Sequence, residues 1–402
     1  MLMLTEEAEA PSGIDAAVSE PGRVGLTRLV LTDFRNYREA RLRLDPGPVV
    51  VMGPNGAGKT NLLEAVSLLA PGRGLRGARL AELDRREAAD SPWAVFALLQ
   101  TRSGEVRIGT GREALAAKGA ARPIERRVVR IDGETVRSQA ALGERLGVTW
   151  LTPEMDRLFQ GGPSDRRRFL DRLVLALDPA HAARVAAYEE ALRERSHLLR
   201  EGPFDKAWLS ALEETMSRAG VAVAAARRDA VERLDRICAS SEGPFPRARL
   251  HLLGAVEDWL AEMPALAAEE AFKAVLFENR GADAETGGAA TGPHRSDLRV
   301  RHGDKGVCAE LASTGEQKAL LIAILLAHAR LETEIRGEPP LILFDEVAAH
   351  LDSARRAALF AALLRQEGQV WLSGTERALF EPLRGEAQFL AVRDGVLTAD
   401  FP

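Results

Sequence analysis

The octapeptide Gly53-Pro54-Asn55-Gly56-Ala57-Gly58-Lys59-Thr60 constrains this chain more than any other feature. It matches G-x-x-x-x-G-K-[ST] without a gap. The apolar run Pro48 to Met52 reads as a buried strand in front of it. Behind it, Asn61 to Ala70 reads as a helix with Leu62, Leu63, Val66 and Leu69 on one stripe, stopped by Pro71-Gly72. Glycines let the backbone wrap a polyphosphate with its N–H groups turned inward. Lys59 supplies a point charge to the β/γ-phosphates, and the Thr60 hydroxyl is placed to hold Mg²⁺. A plain glycine-rich strand-to-helix turn is the bland alternative, and the flanking elements argue against it.

Such a loop needs carboxylates nearby. Leu341-Ile342-Leu343-Phe344-Asp345-Glu346 is a second buried strand whose end carries two of them. Open α/β sheets bind ligands at their strand ends, so Asp345 is expected on the Mg²⁺ shell. Glu346, one residue later, is expected to polarise an attacking water. Ser313-Thr314-Gly315-Glu316-Gln317-Lys318 opens a further helix. Ser-x-x-Glu is a capping box, and capping alone explains it. The same helix start, with Ser313 and Gly315, also offers free N–H groups to a phosphate. The order of signature helix, acidic strand and Leu351-Asp352 is that of an ABC-type ATPase.

Composition narrows the setting. Apolar residues at 46% and charged residues at 28% are the balance of a folded chain. Two cysteines, Cys238 and Cys308, exclude a disulfide scaffold and lack zinc spacing. With no apolar run of membrane length and no signal-peptide pattern, a cytoplasmic protein without a membrane partner is expected. Residues 1–22 carry Glu6, Glu7, Glu9, Asp15 and Glu20 and no Lys or Arg, so they hold the whole net charge of −5. This segment reads as a disordered acidic tail. Charges elsewhere balance, so any nucleic-acid contact must come from local patches.

The chain reads as α/β. Residues 23–165 and 286–402 form the ATPase domain, with antiparallel strands at Trp93–Leu99, Glu105–Gly109 and Val128–Ile131 and a hairpin turn at Asp132-Gly133. Residues 166–285 show helical periodicity (Val185, Tyr188, Leu192 and Leu199; Trp208, Leu212, Met216 and Val223) and read as an inserted helical arm. Breaks at Glu201-Gly202-Pro203 and Gly243-Pro244 make these helices too short and interrupted for a long coiled coil.

The chain resembles the RecF family, bacterial recombination and repair ATPases related to the heads of SMC-type proteins. The matching pieces are Leu31-Thr32-Asp33-Phe34-Arg35-Asn36-Tyr37, the phosphate loop, Pro153-Glu154 and Gly162 to Asp171. Thr291 to Asp297, the Ser313 signature, the acidic strand with Ala349-His350-Leu351-Asp352, and Thr375 complete the series. The resemblance runs in order over roughly 24–402. It implies an ABC-type head (a phosphate-loop sheet with an antiparallel subsheet) and a slow, DNA-stimulated ATPase. It further implies an ATP-dependent homodimer on single-stranded DNA or ss/ds junctions, acting with RecO and RecR to load RecA, and a place in the SOS response. Each subunit's Ser313 and Gly315 would cap the ATP held by the other, with Asp352 and Thr375 as dimer or switch residues. Arg35 and Asn36 would meet nucleotide, as the first-strand loop does in related heads; an exposed turn explains them equally.

Departures are the acidic tail, Thr375 where ABC ATPases place a histidine, and the lack of an obvious glutamine loop, near which Glu154 falls. Candidate DNA contacts are Arg73, Arg76 and Arg79, and Arg166, Arg167 and Arg168; a solvated face balanced by Asp84, Asp165 and Asp171 is the alternative. His294-Arg295 with Asp297 reads as an internal ion-pair corner. The competing classes are a transporter's ATP-binding subunit and a chromosome-structural SMC-like protein. The long stretch between Lys59 and Ser313 weighs against the first, and the interrupted helices weigh against the second.

Overall fold

The structure, a computed structural model, describes residues 22–87, 91–115, 124–202 and 205–399. The expected acidic tail, apart from Gly22, lies outside these residues. The chain divides into two compact units. One runs to Met155 and resumes at Glu332, and the other spans Asp156–Leu331.

The first unit opens with strands β1 (Gly25–Phe34), β2 (Tyr37–Arg43) and β3 (Val49–Met52), then helix α1 (Lys59–Ser67). Strands β4 (Ala94–Thr101), β5 (Gly104–Leu115), β6 (Ile124–Ile131) and β7 (Glu134–Thr135) follow, then α2 (Ala140–Arg145) and β8 (Val148–Leu151). The second unit holds α3 (Pro163–Leu177), α4 (His181–Glu201), α5 (Lys206–Ser240), β9 (Ala248–Leu253), α6 (Ala255–Glu262), α7 (Ala265–Glu278), α8 (Arg280–Thr286), β10 (Asp297–His302) and β11 (Val307–Cys308). Helix α9 (Thr314–Arg336) returns the chain to the first unit. That unit closes with β12 (Leu341–Phe344), α10 (Ser353–Leu364), β13 (Val370–Gly374), β14 (Gln388–Arg393) and β15 (Val396–Ala399).

Two sheets build the first unit. The antiparallel sheet runs β2-β1-β4-β5-β6-β7, and the largely parallel sheet runs β15-β14-β3-β13-β12-β8. From Glu39 to Arg43 burial alternates, with Ala40 and Leu42 inside, as a one-sided strand requires. At Asp132-Gly133 both residues have positive φ (51° and 87°), the primed turn that matches strand twist. Strands β3 and β12 are buried at all four positions, as in a sheet covered on both faces. Both run parallel to β13, which lies between them. The phosphate loop after β3 and the carboxylates after β12 therefore leave the sheet at the same edge.

Helix α1 has nine residues, too few to be stable alone. Its Leu62, Leu63 and Val66 are fully buried in a core shared with Leu29, Leu31, Trp93, Leu343 and Trp371. Each such side chain contributes about 1.5–3 kcal/mol, so packing rather than propensity fixes the helix behind the loop. The buried Gln369 amide ties the two sheets together. Its Oε1 accepts from Leu26 N (3.0 Å) and Trp371 Nε1 (2.9 Å), and its Nε2 donates to Asp45 O (2.7 Å).

In the second unit, α5 runs 35 residues without interruption, roughly 50 Å at 1.5 Å per residue. The breaks expected at its two ends are where it starts and stops, but the helix between them is longer than expected. Asp205 caps it, accepting from Ala207 N (2.8 Å). Gly220 lets α5 approach its neighbours, since a Cβ there would sit 2.9 Å from the Phe272 ring and 3.0 Å from Tyr188. Arg195 is fully buried between Glu213 (3.0 Å) and Asp283 (2.8 Å) and also donates to Leu276 O (2.6 Å). It thereby links α4, α5, α7 and α8.

The unit is not purely helical. Strands β9, β10 and β11 form a small antiparallel sheet, with Leu298 opposite Leu252 and Val300 opposite Leu250. This pairing draws residues 286–331, expected with the ATPase halves, into the second unit. Among the described residues no helix is long and apolar enough to cross a membrane.

His328 of α9 donates from Nε2 to Leu173 O (2.9 Å), and burial pushes its imidazole down to about 4. The folded chain therefore keeps His328 neutral where an unfolded chain protonates it, below about pH 6.5. Stability is lost as pH falls from that value toward 4. His328→Gln keeps a donor and removes the titration. Melting experiments should show the parent losing about 2 kcal/mol more than the variant between about pH 7 and pH 5. Parallel losses would show that His328 is not the titrating group.

Candidate functional site

The phosphate loop has glycine where nothing else fits. Gly56 and Gly58 have φ of 80° and 121°. A Cβ on Gly58 would also lie 2.5 Å from Asn36 Nδ2 and 2.9 Å from the Tyr37 hydroxyl. The turn after β1 braces the loop from outside. Asn36 Nδ2 donates to Ala57 O (2.9 Å), and Tyr37 Oη donates to Gly58 O (3.0 Å). Burial raises the Tyr37 phenol well above its ordinary value, so it remains a donor at neutral pH. With these carbonyls held outward, the N–H groups at the start of α1 are presented to an anion.

Lys59 is buried, and its Nζ donates to Gly53 O (2.8 Å) and Pro54 O (3.2 Å). It also lies 3.1 Å from Glu346 Oε1. The Thr60 hydroxyl reaches both oxygens of Asp345, at 3.1 and 2.9 Å. The four side chains expected to do the chemistry are thus gathered on one sheet edge.

Glu346 has φ of 52°, rare for a non-glycine residue and held here by its neighbours. Its N–H donates to Ser373 Oγ (2.9 Å), and the same hydroxyl donates to Asp345 Oδ1 (2.6 Å). Ser373 is fully buried near the end of β13 and holds the Asp345 carboxylate and the Glu346 backbone. Ser373, rather than the expected Thr375, is the residue of this strand end that meets the site. Its only signal was a polar residue closing an apolar strand. Thr375 is exposed, one residue beyond Gly374, whose carbonyl accepts from Gly53 N (3.3 Å).

Arg35, also at positive φ (56°), does not face solvent as a loose turn would. It forks onto the buried Glu64 of α1 through two 2.9 Å bonds and donates to Glu82 O (2.7 Å). Arg76 meets the same Glu64 (3.2 Å) and Asn61 Oδ1 (2.7 Å), and Asn61 Nδ2 reaches back to Asn36 (2.7 Å). Glu64 and Asn61, neither expected from sequence, therefore link the arginines to the phosphate loop. Arg73 and Arg79 are exposed and enter no ion pair among the described residues. Asp84, expected to balance them, is instead held by Arg112 (2.8 Å).

The signature lies in the second unit. Ser313 is exposed and forms the full capping box, its N–H and hydroxyl both meeting Glu316 Oε2 (2.9 and 2.8 Å). Lys305 and these bonds hold the Glu316 carboxyl down at about 2. Asp352 caps α10, accepting from Arg355 N (2.8 Å).

The second arginine cluster requires correction. Arg166 is buried and pairs with Asp297 (2.6 and 3.0 Å), also donating to Gly161 O (2.7 Å). It cannot reach a phosphate. Helix period explains this, since Arg166 shares the inward face with Phe169 and Leu170. Arg168 is exposed and pairs with Asp165, while Arg167 is half-buried and donates to Ser296 O (2.8 Å). The expected corner at 294–297 also differs. Asp297 pairs with Arg166 and with Arg299 (3.0 Å), whereas His294 bonds Tyr188 (2.6 Å) and Ala289 O (2.9 Å). Glu154 is exposed, and the His350 side chain lies outside the described residues.

A parallel sheet delivering a phosphate loop and an Asp-Glu pair to one edge, beside an antiparallel sheet, defines a phosphate-loop head. The family model described as "RecF/RecN/SMC N terminal domain" matches residues 25–394. The chain is 49% identical over 381 residues to a protein of Mesorhizobium japonicum described as DNA replication and repair protein RecF, spanning 94% of this chain and 98% of that one. A Rhizobium rhizogenes protein of the same description is 49% identical over 380 residues, 94% and 99% of the two chains. In fold the chain is similar to a solved recombination mediator protein RecF-ATPrS of the RecFOR pathway, with a TM-score of 0.81 at 22% identity, covering 94% and 99%. The chain belongs to the RecF family.

Proposed function

We propose that this chain is an ATPase of recombinational repair and replication restart that dimerises on DNA with ATP. In this reading it acts with RecO and RecR to load RecA at gaps, within the SOS response. The observation that carries the chemistry is the convergence of Lys59, Thr60, Asp345 and Glu346 on one sheet edge. Lys59 and the loop N–H groups bind the β- and γ-phosphates. Thr60 and Asp345 offer hard oxygen ligands, which suits Mg²⁺. When bound, that ion would neutralise phosphate charge. Among the described residues no group of three or more His, Cys, Asp or Glu is set to hold a metal, so phosphate oxygens would complete the shell.

Glu346 takes a proton from the attacking water as the bond between the γ-phosphorus and the bridging oxygen breaks, releasing ADP and phosphate. Ser313 and Gly315 of a second copy close over the γ-phosphate, with Thr375 and Asp352 at the switch positions. DNA is gripped by exposed arginines, Arg73 and Arg79 among them.

Fluorescence anisotropy with a labelled gapped duplex tests this reading. ATP with Mg²⁺ should tighten binding at least tenfold in the parent and not in Lys59→Ala. Replacing Arg73 and Arg79 together by Glu should weaken binding several-fold at all sequences and flatten its salt dependence, leaving ATP binding intact. DNA affinity indifferent to ATP would overturn the reading.

A further inference from the structure

The turn over residues 289–296, between α8 and β10, has no part in the chemistry at the phosphate loop, yet basic side chains converge on it. Three guanidiniums are anchored on its backbone carbonyls. Arg167 Nη1 donates to Ser296 O (2.8 Å), Arg227 Nη1 to Pro293 O (2.6 Å), and Arg295 through Nε and Nη2 to Ala289 O (3.3 and 3.2 Å). His294 Nε2 shares Ala289 O (2.9 Å), and its Nδ1 accepts from the Tyr188 hydroxyl (2.6 Å).

Charge around this turn does not balance. Asp171 is claimed by Arg227 (2.7 and 2.8 Å) and His181 (2.8 Å). Asp297 is claimed by Arg166 (2.6 Å) and Arg299 (3.0 Å), and Glu310 also by Arg299 (2.6 Å). Glu257, bonded to the Ser296 hydroxyl, is pushed by burial toward its neutral form. Arg167 and Arg295 are left in no ion pair among the described residues; Arg295 is exposed and Arg167 half-buried. Burial and then the charge of Arg227 lower Arg167, Asp297 and Asp171 pull the other way, and Arg295 adds to the lowering. Carbonyl anchors fix both guanidiniums yet satisfy only part of their donors. Fixed, partly exposed guanidiniums lacking a carboxylate are suited to a fork onto phosphate oxygens.

We propose that Arg167 and Arg295 form a phosphate-binding site on the second unit that holds the backbone of nucleic acid. The phosphate backbone of nucleic acid complements this positive charge, and the proposal rests on the DNA-binding function proposed above. Of the triplet 166–168, Arg167 alone belongs to this site, and its partner comes from the distant turn.

The test is anisotropy of the full chain with a labelled gapped duplex, ATP and Mg²⁺, over about 50–200 mM salt. Two neutralised phosphate contacts steepen a log–log salt slope by about 1.8, so Arg167→Gln with Arg295→Gln should flatten it by that amount. Over this fourfold salt range, the parent's advantage over the variant then shrinks about tenfold. Arg167→Lys with Arg295→Lys retains the charge and should keep most of the slope. Equal slopes in parent and Gln pair, or equal loss in the Lys and Gln pairs, would mean the two arginines only anchor the turn and would overturn the site. Binding weakened by the Arg73 and Arg79 substitutions but untouched by the Gln pair would overturn this site alone. Absence of DNA binding by the parent would overturn both it and the function beneath it.

Discussion

Glu346→Gln is expected to bind ATP and Mg²⁺ yet turn ATP over at least a hundredfold more slowly, and to accumulate as a dimer. The substitution is nearly isosteric, and the Glu346 backbone is held independently through its N–H on Ser373 Oγ at 2.9 Å. The loop geometry should therefore survive. What is lost is the carboxylate proposed to accept a proton from water, and a positioned general base contributes about 10²- to 10⁴-fold. Removing its charge also ends the 3.1 Å ion pair with Lys59, leaving that ammonium to the phosphates. In the proposed mechanism hydrolysis ends the ATP-bound dimer, so slower hydrolysis should lengthen its life. Sedimentation with saturating ATP and Mg²⁺ should show the variant as a dimer with little monomer. A monomeric variant would disconnect dimerisation from the ATP state and sink the clamp mechanism.

Mixing two inactive variants should restore ATPase activity. Lys59→Ala should damage the phosphate side of the proposed composite site, and Ser313→Arg its signature side. Each alone is expected to lose hydrolysis, because every site in its homodimer is impaired. Ser313 is exposed and its cap is worth about 1 kcal/mol, so the substitution should leave the 23-residue α9 folded. In the mixed dimer one site carries both defects and the other carries neither. Random pairing makes about half the dimers mixed, so partial activity should return under tight association. Lys59→Ala mixed with Glu346→Gln is the control, since both defects then fall on the phosphate side and no intact site forms. Recovery in both mixtures, or normal hydrolysis by Ser313→Arg alone, would mean that the site is complete within one chain.

What could be read from the sequence was local. The phosphate loop, β3, α1, β12 and the Asp132-Gly133 hairpin each carry their signal within ten or so residues. Alternating or continuous burial and glycine at positive φ are properties of short windows. The residues that escaped detection depend on partners far along the chain. Ser373 matters because β13 sets it between Asp345 and Glu346. Gln369 matters because Leu26 and Asp45 face it across two sheets. Strand β9 was hidden among helical periods, and only its pairing with β10 makes it a strand. Arg166 looked like one of three equivalent arginines, and helix phase alone would have set it apart from Arg168.

Strand β3, which carries the phosphate loop, is flanked among the described residues by two strands that lie far later in the sequence. Val49 lies opposite Trp371 on one side and Gln388 on the other. During synthesis the loop sequence therefore emerges well before the strands that flank β3. Until β13 and β14 leave the ribosome, the all-apolar β3 has no native strand on either edge. Such long-range pairing is expected to slow folding and to leave β3 unpaired until β14 is made. A truncation before β13 should thus yield an insoluble fragment with no nucleotide affinity, although every residue of the loop itself is present. Nucleotide competence then reports that β13 and β14 have been made.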